Sequence, residues 1–268
     1  MSETETGTFT GVRPWDRPRD RFGWLPFDAY VALLRADVMR LREVAERGLE
    51  PRVPSCPGWT VGDVVAHTAE VYAHKVECTR SGREPDPWPP EGVAEQDRLD
   101  ALDAAAGRLL QLFDAASPED PSHTWWPPDQ TVGFWMRRMA LETAVHRLDA
   151  ELGHGVPTPV DAALALDGID ELLVMMLAGD DWAEHGTEVP VDAAVRVTTA
   201  GRSWTVQLSA EAVTVDRSAR GVVAVEVSGE PSPLYLWLWG RGGTQSLALV
   251  GDREVAGSFR RRIAEATQ

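Results

Sequence analysis

Apolar positions recur every three or four residues along the first half of the chain and every two along much of the second. From Pro26 onward, Phe27, Tyr30, Leu33, Leu34, Val38, Leu41 and Val44 trace one helical face, which Gly48 and Pro51 bring to an end. The turn Ser55-Cys56-Pro57-Gly58-Trp59-Thr60 leads into a second helix reaching about residue 80, where Ser81-Gly82 stops it. Thr60 with Asp63 three residues on has the form of a capping box, and the acid suits the positive helix end. A Pro-rich loop over 84–90 precedes a third helix over 93–116 with Leu99, Leu102, Ala106, Leu109, Leu110 and Phe113 as its stripe. A second Pro-rich loop, carrying Trp125 and Trp126, leads to a fourth helix over 132–152 that Gly153, Gly155 and Pro157 terminate.

Four long amphipathic helices joined by loops are what a bundle requires. After Pro159 the period changes. A helix over 160–178 is followed by short alternating or β-branched runs at 194–199, 203–208, 213–215 and 222–227. These read as strands of an antiparallel sheet, with a tight turn at Gly201-Arg202. A short helix over 232–240, a strand near 246–250 and a terminal helix from Asp252 finish the pattern. The expected fold class is α+β, a four-helix bundle followed by a smaller α/β sandwich domain with an antiparallel sheet. The expected divisions are a flexible N-terminal arm (1–24), the bundle (25–155) and the second domain (156–268).

Composition narrows the partners. With 43% hydrophobic residues in 268, the chain can build real cores and has room for two domains. A formal charge of −16 argues against nucleic acid or an anionic membrane as partner, because both would be repelled. The cluster Arg260-Arg261-Arg262 reads as a solvated helix face rather than a binding patch. Cys56 and Cys78 fit neither a disulfide framework nor a thiolate zinc site. The N-terminus lacks the pattern of a signal peptide, and no apolar run approaches the roughly 20 residues that span a bilayer. A cytoplasmic monomer acting on small molecules is expected.

The polar residues that break the apolar pattern carry the candidate chemistry. Glu142 and His146 lie four residues apart on helix four, about 6 Å from each other on one face, where they can chelate one ion. Alone the pair is weak, since this spacing is common on solvated helices. His67 interrupts the apolar stretch Val64-Val65-Ala66 on helix two, where a lone histidine is better read as bonded to a backbone carbonyl. Together, three ionisable groups aimed at an apolar interior are costly unless something pairs them. A divalent cation satisfies all three and leaves coordination positions open, as catalytic sites do. His74, Glu70 and Trp135 are candidates for lining a substrate pocket, although surface or packing roles explain each of them as well. Cys56 reads as inert, and His123, His154 and His185 have no partner at ligand spacing.

Pro57-Gly58-Trp59-Thr60, Val64-Val65-Ala66-His67 and the later Glu142-x-x-x-His146 resemble the mycothiol-dependent maleylpyruvate isomerase family, one of the DinB-like metal-binding bundles. That resemblance spans residues 27–155. The run Leu234-Tyr235-Leu236-Trp237-Leu238-Trp239-Gly240-Arg241 is similar to that family's sterol-carrier-like C-terminal domain. The family is widespread in actinobacteria. The resemblance implies zinc on His67, Glu142 and His146, with water or the thiol of mycothiol completing the shell. It also implies that Arg241 is the catalytic arginine near the metal, although a bland surface position fits Arg241 equally. A bound cation lowers a thiol's pKa. The thiolate would add to an activated double bond, permit rotation and leave the trans isomer. Open beside this isomerase reading stand a mycothiol S-transferase, a thiol-independent metal enzyme and a binding protein of the same fold. Retention of three ligand-type residues counts against the last.

Overall fold

The computed structural model describes residues 18–88 and 97–267. Helices α1 (Phe27–Ala45), α2 (Val61–Ser81), α3 (Arg98–Ala115) and α4 (Val132–Gly153) form the bundle, with α4 packed against α1 and α2, and α2 against α3. On α1 the buried positions Tyr30, Leu34, Val38, Leu41 and Val44 follow the spacing of the apolar stripe. The capping box on α2 is formed: Thr60 Oγ1 accepts from the Asp63 amide at 3.2 Å, and Asp63 Oδ2 accepts from the Thr60 amide at 2.8 Å. Gly82, with φ of +67°, closes the other end of α2 in the left-handed conformation expected of a glycine C-cap. Removing the cap acceptor with Thr60→Ala is expected to lower stability by about 1 kcal/mol in urea unfolding, with an unchanged denaturant slope.

Helix α3 starts at Arg98, capped by Asp97, whose side chain accepts from the Leu99 and Asp100 amides. The earlier start expected at 93 lies outside the described residues, as do positions 89–90 of the Pro-rich loop. Helix α4 is buried along nearly its whole length, including Arg137, Arg138, Arg147, Asp149 and Glu151. Each of these charges has an opposite charge within an ion-pair distance, which is the condition for burying them. Arg137 grips Asp167 with Nε at 2.9 Å and Nη2 at 3.0 Å, while the Tyr30 hydroxyl donates to the same carboxylate at 2.7 Å. The bundle is thereby tied to the next helix.

That helix, α5 (Ala162–Glu171), does not run on as a regular α-helix to 178. It passes into a π-helical stretch over Leu172–Leu177, followed by a short helix α6 (Trp182–His185). The strands β1 (Ala193–Thr199), β2 (Arg202–Leu208), β3 (Val213–Asp216), β4 (Val225–Gly229) and β5 (Leu247–Gly251) form one sheet in the order β3-β2-β1-β4-β5. Helices α7 (Pro231–Leu238) and α8 (Arg253–Ala266) pack with it. The sheet is antiparallel except at β1–β4, which is parallel. Alternation of side chains reports faces and not direction, and β4 joins the open edge of β1 instead of continuing from β3. The β1–β2 turn is centred on Ala200 and Gly201, with φ of +47° and +76°, one residue earlier than expected. Thr199 pairs with Arg202 across it, as in a two-residue hairpin of the primed type.

Residues 18–24 of the expected arm make specific contacts with both parts of the molecule. Arg21 pairs with Asp129 at 2.8 Å and donates to Thr131 at 2.8 Å, both beside the start of α4. Asp20 pairs with Arg217 at 2.5 Å, and the Phe22 ring lies beneath Arg202 and Arg217 on the sheet. Residues 1–17 lie outside the described ones. Among the described residues, no helix is long and apolar enough to cross a membrane.

Candidate metal centre and cavity

His67 comes from α2, and Glu142 and His146 come from α4 one turn apart; the three sit where these helices face each other. One ligand-type atom from each lies within 4.8 Å of the others. His67 Nε2 is 3.8 Å from Glu142 Oε1, too far for a hydrogen bond but suited to a shared ion. The two imidazoles meet edge to face, with centroids 5.0 Å apart. Trp59, from the turn before α2, walls both rings at centroid distances of 5.2 Å and 6.3 Å.

The surroundings leave one donor free on each residue. Glu142 Oε2 accepts from Arg138 at 3.1 Å, and Arg138 in turn holds Glu171 at 2.6 Å. Burial raises the Glu142 carboxyl, but Arg138 and the neighbouring histidines and Lys75 outweigh it, so the group is held below its ordinary value as a carboxylate. Burial, with His146 nearby, keeps the His67 pKa below its ordinary value, which favours the neutral imidazole a metal needs. His146 Nδ1 lies 3.1 Å from Asp149 Oδ2, which leaves Nε2 available. Among the described residues, neither ring nitrogen of His67 has a hydrogen-bond partner. Two imidazoles and a carboxylate with unspent donors, two of them oriented by outer partners, match the donor set of a zinc or similar divalent site.

Asp149 is the residue that the sequence reading passed over. Its side chain is fully buried and receives Arg241 Nε at 3.0 Å and Nη2 at 2.9 Å, the Ser55 hydroxyl at 2.5 Å and the Cys56 thiol at 3.5 Å. Burial opposes its charge, but His146 and Arg241 hold its pKa far below the usual carboxylate range. The spacing His146-x-x-Asp149 was available in the sequence and is that of neighbours on one helix face. Arg138-x-x-x-Glu142 offered the same signal.

Cys56, His67, Arg138, Glu142, His146, Met176, Trp239 and Arg241 line one cavity of about 720 Å³ between the bundle and the second domain. Arg241 therefore does come to the site, but its guanidinium is occupied by Asp149 and by the Trp239 carbonyl. Cys56 reaches the cavity too; burial and then Asp149 push its thiol up to about 11, so it is not a ready nucleophile. His74, Glu70 and Trp135 are not among the residues lining this cavity. His74 packs on Trp88 and is pushed down to about 4 by burial and Lys75. The buried Trp135 donates to Ser122 and to the His123 carbonyl. Glu70, on α2, has its pKa raised by partial burial. Helical spacing placed His74 and Glu70 near His67, and bulk suggested Trp135 as a wall, but none of the three is among the residues that line this cavity.

Comparison with known proteins agrees with this architecture. Residues 31–151 match the family described as mycothiol maleylpyruvate isomerase N-terminal domain, and residues 163–258 match the MDMPI C-terminal domain. Two solved structures are similar, a mycothiol-dependent maleylpyruvate isomerase and a histidine-to-alanine mutant of one, with TM-scores of 0.58 and 0.57. In both cases the identity is 14%, and the match covers 84% of this chain and 93% of the other. Among curated proteins, no relative matches. With both domain signatures present in order, and the fold shared across most of its length, the chain belongs to the mycothiol-dependent maleylpyruvate isomerase family.

Proposed function

We propose that this protein is a metal-dependent isomerase of the maleylpyruvate type, acting by addition and elimination of the mycothiol thiolate on an unsaturated keto acid. The observation that carries this reading is the open wall of the cavity, where His67, Glu142 and His146 converge while the one thiol lining it among the described residues, Cys56, is pushed up by burial and Asp149. A zinc ion held by these three residues would supply the Lewis acidity that keeps a bound thiol deprotonated near neutral pH.

The chain's own groups set the stage for that chemistry. Asp149 accepts from His146 Nδ1 and so fixes the ring's orientation and directs its other nitrogen inward. Arg138 occupies one oxygen of Glu142 and leaves the other free. Arg241 spans from the second domain to Asp149, which couples domain docking to the set of the ligands. Trp59, Met176 and Trp239 supply apolar walls that lower the local dielectric. In the reaction, thiolate addition turns the conjugated double bond into a single bond that rotates, and elimination restores both the thiolate and the double bond. The proposal carries with it a cytoplasmic, monomeric enzyme whose partners are a small acid and a low-molecular-weight thiol.

The test is incubation of the zinc-loaded protein with mycothiol and maleylpyruvate. Conversion to fumarylpyruvate with the thiol unconsumed is expected. A stable thiol adduct would establish an S-transferase instead, and turnover at an undiminished rate without thiol would remove mycothiol from the scheme.

A further inference from the structure

Three arginines line the cavity, and their commitments differ. Arg138 divides its guanidinium between Glu142 and Glu171. Arg241 is taken up by Asp149 and the Trp239 carbonyl. Arg260, on α8, has no carboxylate partner among the described residues. Its Nε donates to the Trp237 carbonyl at 2.7 Å, and its two terminal nitrogens make no hydrogen bond among the described residues.

The place of Arg260 is built and not incidental. Its guanidinium lies against Gly240, which has φ of +78°; a Cβ there would stand 1.8 Å from Arg260 Nη2. The turn that delivers Arg241 therefore needs a glycine both for its backbone and to leave room for Arg260. Arg260, Ala264 and Thr267 face the cavity at helical spacing, whereas exposed Arg261 reaches Ser258 and buried Arg262 stacks over Trp182 at 3.8 Å. The three-arginine cluster is thus not one solvated face but three side chains with separate destinations. Burial and the like charge of Arg241 both press against the charged form of Arg260. Among the described residues no carboxylate is set against this cation, whose one hydrogen bond is to the Trp237 carbonyl. A partly desolvated guanidinium next to another, left without a counter-ion, is compensated when an anion enters.

We propose that Arg260 is the anion anchor of the cavity, gripping a carboxylate of the substrate with its two free nitrogens. The inference rests on the isomerase reading only for the role of that acid as substrate. It assigns substrate capture to α8 and leaves Arg241 as a positioning residue that acts through Asp149. A planar carboxylate suits a guanidinium fork, and its negative charge offsets the one arginine of this wall that has no carboxylate partner among the described residues.

Binding of succinate to the zinc-loaded protein, followed by quenching of the cavity tryptophans, tests the anchor apart from turnover. Arg260→Gln is expected to weaken succinate about 30-fold. Arg260→Lys should recover part of the loss, and exposed Arg261→Gln should bind as the parent does. Dimethyl succinate should not distinguish the parent from Arg260→Gln, and inorganic phosphate should bind more weakly than succinate. Arg260→Met keeps the aliphatic stem and replaces Arg260→Gln if circular dichroism shows that variant unfolded. Equal succinate affinity in the folded charge-free variant and the parent overturns the anchor. So does a parent that binds no succinate, or one that prefers phosphate. Arg260-dependent succinate binding in a protein that does not turn over maleylpyruvate keeps the anchor and sinks the isomerase reading. Turnover whose KM for maleylpyruvate is unmoved by Arg260→Gln sinks the anchor alone.

Discussion

Zinc retention is expected to collapse when any one of His67, Glu142 or His146 is changed to alanine, with affinity falling by more than about 100-fold. That bound follows because losing an outer-shell partner already costs roughly 10–100-fold, and a direct ligand contributes more. The three variants should still fold. The His67 side chain is 31% exposed and those of Glu142 and His146 are 16% and 14% exposed, so none is a large apolar filler of the core. Glu142→Ala is the most demanding of the three, since it leaves Arg138 with Glu171 as its one acidic partner among the described residues. Metal analysis after dialysis, paired with circular dichroism, checks the expectation. Equal metal content in the parent and all three folded variants would eliminate the site, and thiol-dependent turnover should vanish in step with the metal.

The second large effect is expected at Asp149, which touches no substrate in this scheme. Asp149→Asn removes the negative charge from a fully buried group that receives Arg241, Ser55 and Cys56 and lies beside His146. Stability should fall by about 3 kcal/mol, the scale for breaking one side of a buried ion pair. Zinc affinity should fall about 10–100-fold, because His146 loses the carboxylate that orients it. A purely structural role would lower the melting temperature and leave the zinc affinity of the folded protein unmoved. Measuring both quantities separates the two. If Arg241→Lys lowers zinc affinity in the same direction but by less, the effect is transmitted through Asp149, as the geometry requires.

The bundle was legible because each of its helices carries its own signal. The α1 stripe, the Thr60–Asp63 box and Gly82 are local features, and local features survive in one dimension. The three metal-ligand candidates were legible for a related reason: a charge in an apolar stretch is costly, so His67 among valines is conspicuous. What escaped was whatever depends on the neighbouring domain. Asp149 and Arg138 look like ordinary charged helix positions until the second domain covers them. Arg260 looked like part of a basic run, because consecutive helical residues point about 100° apart and the sequence does not say which direction is covered. Strand direction at β1–β4 was hidden in the same way, since the alternation of β4 is the same whichever way it runs. The pocket candidates His74 and Glu70 were placed by helical spacing from His67, and Trp135 by its aromatic bulk. The cavity opens instead where α4 faces α8 and the Trp239-Gly240-Arg241 turn that follows α7.

The contact between Asp20 and Arg217 bears on the order in which the molecule completes itself. The two residues are 197 positions apart, so the segment around Asp20 emerges from the ribosome long before its partner exists. The bundle can assemble from contacts within about the first 155 residues, whereas the strap across the sheet waits for nearly the whole chain. During synthesis Phe22 lacks the two guanidinium groups that meet its ring, because Arg202 and Arg217 arrive together with β2 and the end of β3. Closing so distant a contact costs only a little more chain entropy than closing a shorter one, since the penalty grows with the logarithm of length. The strap is therefore a late contact, laid over a molecule whose buried ties, Arg137 to Asp167 and Arg241 to Asp149, already join its two parts.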